Sequence, residues 1–348
     1  MGRTSVGLEV GTSAVRVAAI SRGRAGGTLE HLAAIALPPG AMSDGELVDG
    51  AVVTAAVKEA VRQAKPGNKR VRLGLVSQRT VAREVELPWV PKKEFRSELP
   101  LLAADMLPMP AEECVLDFMP YEQRGDSQGL KTILGLLVAA PEAGVLELVD
   151  AVEAGGLQVV DVTLTPLATL AAVGDSLAPG PEAVIDVGHA MTSVSIHEGG
   201  QPRFVRILSR GGRDITSGLA EHLQISETDA ETWKCGLWQM WEQMSPADRA
   251  LTETALRAAV AELVTDIRTS VDFYTTGDGH RTVRAYVVGG GASTLGLPQI
   301  LSGVLRVPVT SVTGQFLNPA KALSVRGREL ASSTSATSAV GLALGAAA

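Results

Sequence analysis

Apolar and polar positions follow the same order in two short, well separated stretches of the chain. Residues 6–18 read VGLEVGTSAVRVA, and residues 184–196 read VIDVGHAMTSVSI. In each stretch an apolar strand ends in an acidic residue, an aliphatic residue and a glycine, and a second β-rich run follows. Two such runs joined by a glycine-containing turn are typical of a β-hairpin. Because the pattern occurs twice, about half a chain apart, we expect two lobes of like architecture.

The remaining pattern predicts amphipathic helices and further strands. A helix is expected over 51–64, and a long helix is expected after Ser245 and Pro246, which resemble an N-cap followed by proline at the first helical position. Pro141 is expected to open another helix, which has one apolar face. The residues of that face are Val145, Leu148, Val149 and Val152. The other expected strands are 71–77, 80–87, 114–120, 130–139, 157–164 and 283–288.

A proline-rich segment separates two of these strands. Residues 88–113 read PWVPKKEFRSELPLLAADMLPMPAEE. We expect Pro100 to kink or interrupt any helix there, because proline lacks the backbone N–H and clashes with the preceding turn. Together with its flanking strands, this segment predicts a compact insert within the first lobe.

Composition narrows the class of protein. The chain has 348 residues, 45% hydrophobic and 20% charged, which is typical of a globular protein with more than one domain. The net charge is −7 and no basic block occurs, so nucleic acid is not an expected partner. Cys114 and Cys235 lie far apart, and the five histidines lack metal-ligand spacing, so we expect neither disulfides nor a transition metal. The two isolated cysteines favour a reducing cytoplasm, and no signal peptide or membrane span is evident.

The two glycine turns are candidates for holding phosphate. A phosphate chain needs backbone N–H donors from a turn without bulky side chains. Gly11, Thr12 and Ser13 offer one such turn, and residues 188–192, from Gly188 to Thr192, offer the second. Two facing turns would clamp a phosphate chain between the lobes. For either turn taken alone, a simple tight hairpin remains the alternative.

The acidic residues before the two turns, Glu9 and Asp186, would then face the phosphates. A carboxylate at that place is useful if it holds a hydrated Mg²⁺ or orients water, since like charges otherwise repel. These two residues are therefore the candidate metal-binding and catalytic groups.

Two further elements follow in the second half of the chain. Residues 287–297 read VVGGGASTLGL, and three glycines after a strand allow a flat group to approach the backbone closely. The sequence is not GxGxxG, which counts against a dinucleotide site, and a plain strand–helix turn is the alternative. Glu231 and Lys234 stand one helical turn apart and could reach a ribose and a base, or could form an exposed ion pair.

The order of these four elements resembles that of the actin, sugar-kinase and chaperone ATPase superfamily. Within it, the chain is similar to the PilM family of type IV pilus assembly over nearly its whole length. The segments that carry the resemblance are GLEVGTSAVRV at 7–17, the insert segment from ELPWV to VLDF, RFVRILSRGGRDITSG at 203–218, AETWK at 230–234, VVGGGASTLGL, and Asn318–Pro319. The insert segment is the most specific of these, because metabolic kinases of the superfamily lack it.

The resemblance implies an α/β protein with a two-lobed actin-like ATPase fold, made of duplicated ribonuclease-H-like domains. It also implies an inserted subdomain of the kind found in PilM and in the division protein FtsA. The expected boundaries are 1–80 and 156–180 for the first lobe, 81–155 for the insert and 181–348 for the second lobe. Residues 228–282 would form the helical subdomain of the second lobe.

The resemblance further implies ATP or ADP with Mg²⁺ in the interlobe cleft. The cofactor-binding residues would be Gly11, Thr12, Ser13, Arg16, Gly188, Thr192, Glu231, Lys234, Gly289, Gly290, Gly291 and Ser293. Glu9 and Asp186 would face the metal and hold the Mg²⁺ through water. Any ATPase activity would be slow, because Glu9 replaces the usual Asp. Arg16 and His189 also depart from the family pattern.

The resemblance implies a partner as well. A cytoplasmic N-terminal peptide of a PilN-like inner-membrane protein would dock between the insert and the first lobe, and would recruit this cytoplasmic chain to the inner face of the plasma membrane. Pilus motor ATPases are further candidate partners. The alternatives are an FtsA-like division ATPase, a small-molecule kinase of the same superfamily, and the related cytoplasmic component of type II secretion. The tail after Glu329 has no Lys or Arg, which counts against an FtsA-like basic membrane helix.

Overall fold

The computed structural model describes residues 4–23, 26–125, 129–173, 180–278, 281–312, 318–320 and 323–345. Within these ranges the chain forms two large β-sheets, a three-stranded sheet and a two-stranded ribbon, with helices packed against them.

The first sheet is built on the predicted N-terminal hairpin. Its described strands are β1 (Thr4–Val10), β2 (Ala14–Gly23), β3 (Gly26–Ala36), β6 (Arg70–Leu75), β10 (Gln158–Leu164) and β16 (Asn318–Pro319). They lie in the order β10-β6-β1-β2-β3-β16. β1, β2 and β3 form an antiparallel meander, while β6 is parallel to β1 and β10 is parallel to β6. The carboxyl ends of β1, β6 and β10 therefore point to the same edge of the sheet.

Two helices cover one face of the first sheet. The ribbon of β4 (Met42–Ser43) and β5 (Glu46–Leu47) leads into α1 (Gly50–Ala64), as predicted for 51–64. Asp49 caps α1, because its carboxylate accepts a hydrogen bond from the N–H of Val52 at 3.0 Å. The second helix, α3 (Glu142–Ala154), begins after Pro141 as predicted and shares one buried core with α1.

The insert is an antiparallel three-stranded sheet with one helix. Its elements are β7 (Val81–Pro88), α2 (Lys92–Ala103), β8 (Cys114–Gly125) and β9 (Lys131–Pro141), and the strand order is β7-β9-β8. The expected interruption at Pro100 is wrong, because α2 continues through this residue to Ala103. Pro100 and Arg96 are both exposed, and the carbonyl of Arg96 loses its helical hydrogen-bond partner because Pro100 has no N–H.

The second sheet is built on the second predicted hairpin. Its described strands are β11 (Pro181–Val187), β12 (Thr192–Glu198), β13 (Gln201–Leu208), β14 (Arg284–Val288) and β15 (Val309–Ser311), in the order β13-β12-β11-β14-β15. The helices that follow these strands are α5 (Gly212–Leu223), α6 (Glu227–Met240), α7 (Pro246–Asp278) and α8 (Leu297–Leu305). α7 is the long helix predicted after Ser245. None of the described helices combines the length and apolar composition needed to span a bilayer.

The end of the chain returns to the first sheet. β16 pairs with β3, and it is followed by α9 (Val325–Ala331) and α10 (Thr337–Leu344). α10 packs on β1, β2 and β6, and it crosses α4 (Thr165–Val173), which lies between β10 and β11 in the chain. The division into two lobes and an insert stays a prediction, but these contacts favour residue boundaries that differ from the expected ones. The elements after 318 lie with the first sheet rather than the second, and α3 lies with the first sheet rather than the insert.

Candidate functional site

The first turn, Gly11, Thr12 and Ser13, joins β1 to β2. The N–H of Gly11 donates to the carbonyl of Ala14 at 3.0 Å, which closes the hairpin. Within the described part of the chain, the N–H groups of Thr12 and Ser13 donate no hydrogen bond. The turn therefore keeps two backbone donors for another acceptor.

Glu9 and Arg16 stand opposite each other on the two strands behind this turn. Arg16 Nη1 lies 3.6 Å from Glu9 Oε2, and both side chains are at least four-fifths buried. Burial raises the pKa of Glu9 to about 7, with the nearby Asp186 acting in the same direction and Arg16 opposing it. Glu9 Oε2 and Arg16 Nε are buried without a hydrogen-bond partner among the described residues. Two unpartnered polar atoms at one place indicate that the pair is built to meet a further group.

The second turn, Gly188, His189, Ala190 and Met191, joins β11 to β12 in the same way. The N–H of Gly188 donates to the carbonyl of Met191 at 2.9 Å. The N–H of Ala190 donates to Thr12 Oγ1 at 3.3 Å, so the second turn touches the first. Behind the second turn, burial raises the pKa of Asp186, while hydrogen bonds from Ser338 and Thr169 and the charge of Arg16 oppose that rise.

Thr192 does not line the cleft, although it was predicted to hold phosphate. It pairs with Val187 in the hairpin register, so its side chain is on the face that Val187 occupies, and it is fully buried. Its hydroxyl donates to the carbonyl of Arg210 at 2.7 Å. The neighbouring Ser193 pairs with Asp186 and does line the cleft.

Glu231 and Lys234 form an ion pair at the cleft, with Lys234 Nζ 2.7 Å from Glu231 Oε2. Lys234 also donates to the carbonyl of Gly212 at 2.9 Å and to Thr216 Oγ1 at 2.6 Å. These bonds use all three protons of the ammonium group. Burial acts to raise the pKa of Glu231, but hydrogen bonds from Lys234 and Thr216 outweigh it and lower this pKa. Lys234 therefore ties α6 to the start of α5.

The glycine loop, Gly289, Gly290 and Gly291, follows β14. Gly289 has φ of +86°, and a Cβ there would come within 2.3 Å of Asp186 Oδ1, so only glycine fits. Gly290 is exposed, and a Cβ built on it meets nothing within 4 Å. The backbone at Gly290 is therefore open to close approach, as predicted for a loop against which a flat group would lie.

These elements enclose one cleft cavity of about 350 Å³. All residues that were named individually as cofactor or metal ligands, except Thr192, line it, and so do His189 and Met191 of the predicted second turn. The lining residues outside the predicted elements are Val76, Thr165, Pro166, Ser193, Gly212, Cys235, Ser333 and Ser335. Ser193 could have been found from the hairpin register. Ser333 and Ser335 could not, because only the fold brings the end of the chain to the cleft.

The residues present fit a nucleotide with Mg²⁺. The cavity volume is within the usual range of small-molecule sites. The described residues contain no group of three or more His, Cys, Asp or Glu side chains that could hold a metal. Mg²⁺ commonly takes only one or two carboxylates and completes its shell with water and phosphate. Glu9 and Asp186 suit that arrangement, and the unpartnered Oε2 of Glu9 is consistent with it.

Comparisons with known proteins agree with this architecture. The family model described as type IV pilus assembly protein PilM matches residues 7–347. A solved structure described as a PilM–PilN type IV pilus biogenesis complex matches with a TM-score of 0.82 and 25% identity, over 98% of this chain and 97% of that chain. The ethanolamine utilization protein EutJ from Carboxydothermus hydrogenoformans matches with a TM-score of 0.56 and 16% identity, over 99% and 90% of the two chains, and supports the fold alone.

Cell division protein FtsA is a more distant relative. The Streptococcus pneumoniae protein is 26% identical over 66% of this chain, and the Bacillus subtilis protein is 25% identical over 44%. These matches span only 54% and 38% of the respective FtsA chains.

The structural matches confirm the predicted two-lobed actin-like ATPase fold. The family match covers nearly the whole chain, including both turns, the insert and the glycine loop. The chain therefore belongs to the PilM family of type IV pilus assembly proteins.

Proposed function

We propose that this chain is a scaffold of type IV pilus assembly that binds ATP or ADP with Mg²⁺ in the cleft cavity. The observation that carries the proposal is the contact between the two turns, in which Ala190 of the second turn donates to Thr12 of the first. Two turns that meet at one cavity can supply backbone donors to the same small volume, as a polyphosphate chain requires. Membership in the PilM family and the actin-like fold support the same conclusion.

In this proposal the two turns hold the phosphates, and Arg16 adds a positive charge beside them. Bound Mg²⁺ would neutralise phosphate charge, with Glu9 and Asp186 holding it through water. The glycine loop and Ser293 would lie under the adenosine, and Glu231 would lie near the ribose. Lys234 has no proton left for the nucleotide, so we assign it the role of holding Glu231 and the start of α5 in place.

We expect slow hydrolysis at most. Glu9 is paired with Arg16, and the raised pKa of Glu9 leaves it partly protonated at neutral pH. Because Arg16 already offsets the charge of Glu9, we expect turnover to be affected more than nucleotide binding. The nucleotide would then act by favouring one arrangement of the lobes over another.

The partner in this proposal is a PilN-like inner-membrane protein, whose cytoplasmic N-terminal peptide docks between the insert and the first lobe. The resemblance to a solved PilM–PilN complex supports this partner. The chain would then act in the cytoplasm, held at the inner face of the plasma membrane by that peptide, and pilus motor ATPases would be further partners.

A peptide titration tests this function. The labelled N-terminal cytoplasmic peptide of the PilN-like protein from the same organism is titrated with the full chain, and fluorescence anisotropy is measured with and without Mg-ATP. We expect saturable binding, absent for a scrambled peptide, with at least a threefold change in affinity on adding Mg-ATP. Absence of binding, together with binding to a tubulin-like division protein, would favour the FtsA-like alternative instead.

A further inference from the structure

Asp186 is held from outside its own sheet by one hydroxyl group and approached by a second. Ser338 Oγ on α10 donates to Asp186 Oδ2 at 2.7 Å, and Thr169 Oγ1 on α4 lies 3.5 Å from the same oxygen. Thr169 Oγ1 and Ser338 Oγ are 3.0 Å apart. Because a hydroxyl has one proton, Ser338 donates to Asp186, whereas Thr169 donates to the carbonyl of Thr165 at 2.9 Å and packs against Ser338. Thr169 and Ser338 are both almost fully buried.

These hydroxyls lie where two helices cross in very close contact. A Cβ on Gly341 of α10 would come within 2.0 Å of the carbonyl of Ala168 on α4, so the helix backbones touch. α4 lies in the chain between β10 of the first sheet and β11 of the second, and α10 packs on the first sheet. The crossing is therefore a junction between the two sheets. Asp186 belongs to the second sheet, accepts a hydrogen bond from Ser338 on α10 and lies 3.5 Å from Thr169 Oγ1 on α4.

The other oxygen of Asp186 faces the cleft. Oδ1 lies against Gly289, since a Cβ on that glycine would come within 2.3 Å of it, and Asp186 lines the cavity. Gly289 is itself tied to the residues before α10, because its N–H donates to the carbonyl of Thr334 at 3.0 Å and its carbonyl accepts from Thr334 Oγ1 at 2.5 Å. One carboxylate thus has one oxygen at the helix junction and one at the cleft.

We propose that Ser338, against which Thr169 packs, is a positioning residue that orients Asp186 toward the metal–nucleotide complex. The orientation of Asp186 then depends on how α4 and α10 cross. This inference rests on the proposed function. A shift of α10 against α4 would move Ser338 relative to Asp186 and change the direction of Oδ1. Conversely, a ligand that fixes Asp186 would restrain the crossing, because coupling between two sites is reciprocal.

A double-mutant cycle on the nucleotide-free full chain tests the contact first. The variants are Ser338→Ala, Asp186→Ala and the double variant, compared by urea unfolding. We expect Ser338→Ala to raise the unfolding equilibrium constant at least fivefold in the parent chain and less than twofold in the Asp186→Ala background. Thr337→Ala is the matched control, because Thr337 is equally buried on α10 but donates to the carbonyl of Thr334. Its effect should be the same in both backgrounds.

ATP titrations with Mg²⁺ and with EDTA then test the consequence. For Ser338→Ala we expect a five- to tenfold loss of affinity with Mg²⁺ and less than a twofold loss in EDTA, with Thr337→Ala unchanged in both. A merely structural role would weaken both affinities equally. An additive cycle, or equal losses with and without Mg²⁺, would overturn the inference. If the parent chain binds no nucleotide, the proposed function fails, while the nucleotide-free cycle still decides whether Ser338 holds Asp186.

Discussion

The backbone N–H of Ala190 donates to the hydroxyl of Thr12 at 3.3 Å, which joins the turn of one sheet to the turn of the other. This bond spans the cleft, because Thr12 follows β1 and Ala190 follows β11. The two hairpins also have matching registers: Glu9 pairs with Arg16, and Asp186 pairs with Ser193. The two hairpins predicted by the repeated sequence pattern therefore form the two opposite sides of one site.

Replacing Thr12 with Val should destabilise the nucleotide-free protein by about 1 kcal/mol, because the N–H of Ala190 loses its acceptor while the side chain keeps its shape. Urea unfolding measures the change. Ser13→Ala is the control on the same turn. If a phosphate oxygen replaces the lost acceptor, saturating Mg-ATP should reduce the penalty, and an unchanged penalty with nucleotide would contradict that role.

Glu9 should make stability depend on pH in an unusual direction. Its pKa is about 7 in the folded chain against an ordinary value of 4.5, so the folded state keeps a proton that the unfolded state releases. Unfolding free energy therefore falls as pH rises from 4.5 through 7. Glu9→Gln cannot ionise and should match the parent near pH 4.5 but exceed it at pH 8, by on the order of 2–3 kcal/mol. Urea unfolding across this pH range is the measurement, and parallel profiles for the two proteins would refute the assignment.

Lys234→Met should lower stability by about 1–3 kcal/mol, because it removes the donor shared by Gly212, Thr216 and Glu231 while it keeps the volume of the side chain. Lys58→Met, on the exposed face of α1, is the matched control and should stay within about 0.5 kcal/mol of the parent. Equal effects of the two changes in chemical unfolding would show that the bonds of Lys234 contribute nothing.

Gly289→Ala should be far more costly than Gly290→Ala. The first variant places a Cβ at a positive φ and within 2.3 Å of Asp186 Oδ1, so we expect a loss of more than about 2 kcal/mol. The second meets open space and should cost less than about 1 kcal/mol. Thermal and urea unfolding of the pair distinguish them, and similar stabilities would contradict the described conformation of the loop.

Local sequence patterns predicted both hairpins and the helices over 51–64 and after Pro141 and Ser245, because each is encoded by nearby residues. The alternation of apolar and polar residues alone did not decide which residue of β12 faces the cleft. The pairing register of β11 with β12 decides it, because Thr192 pairs with Val187 and Ser193 pairs with Asp186. The chemistry of Pro100 alone predicts an interrupted helix, but on an exposed helical face water can satisfy the carbonyl that the proline leaves unpaired.

The sequence did not predict that the C-terminal tail contributes to the site, because this contribution depends on contacts between residues far apart in the chain. Its small residues have no local pattern that indicates a site. Gly341 is needed because α10 touches α4 at Ala168, and Ser338 meets Asp186 only once that crossing has formed. The predicted lobe boundary at 181–348 missed this return to the first sheet for the same reason.

The central claim, that the cleft cavity binds a nucleotide, is tested most directly by calorimetric titration of Mg-ATP into the parent chain and two phenylalanine variants. Gly290→Phe fills the cavity from a position where a Cβ meets open space, and Gly303→Phe places the same side chain in open space on the exposed face of α8. We predict saturable binding with one site per chain, a loss of at least tenfold in affinity for Gly290→Phe, and less than a twofold change for Gly303→Phe. No binding to the parent chain, or binding that Gly290→Phe leaves intact, would contradict the account.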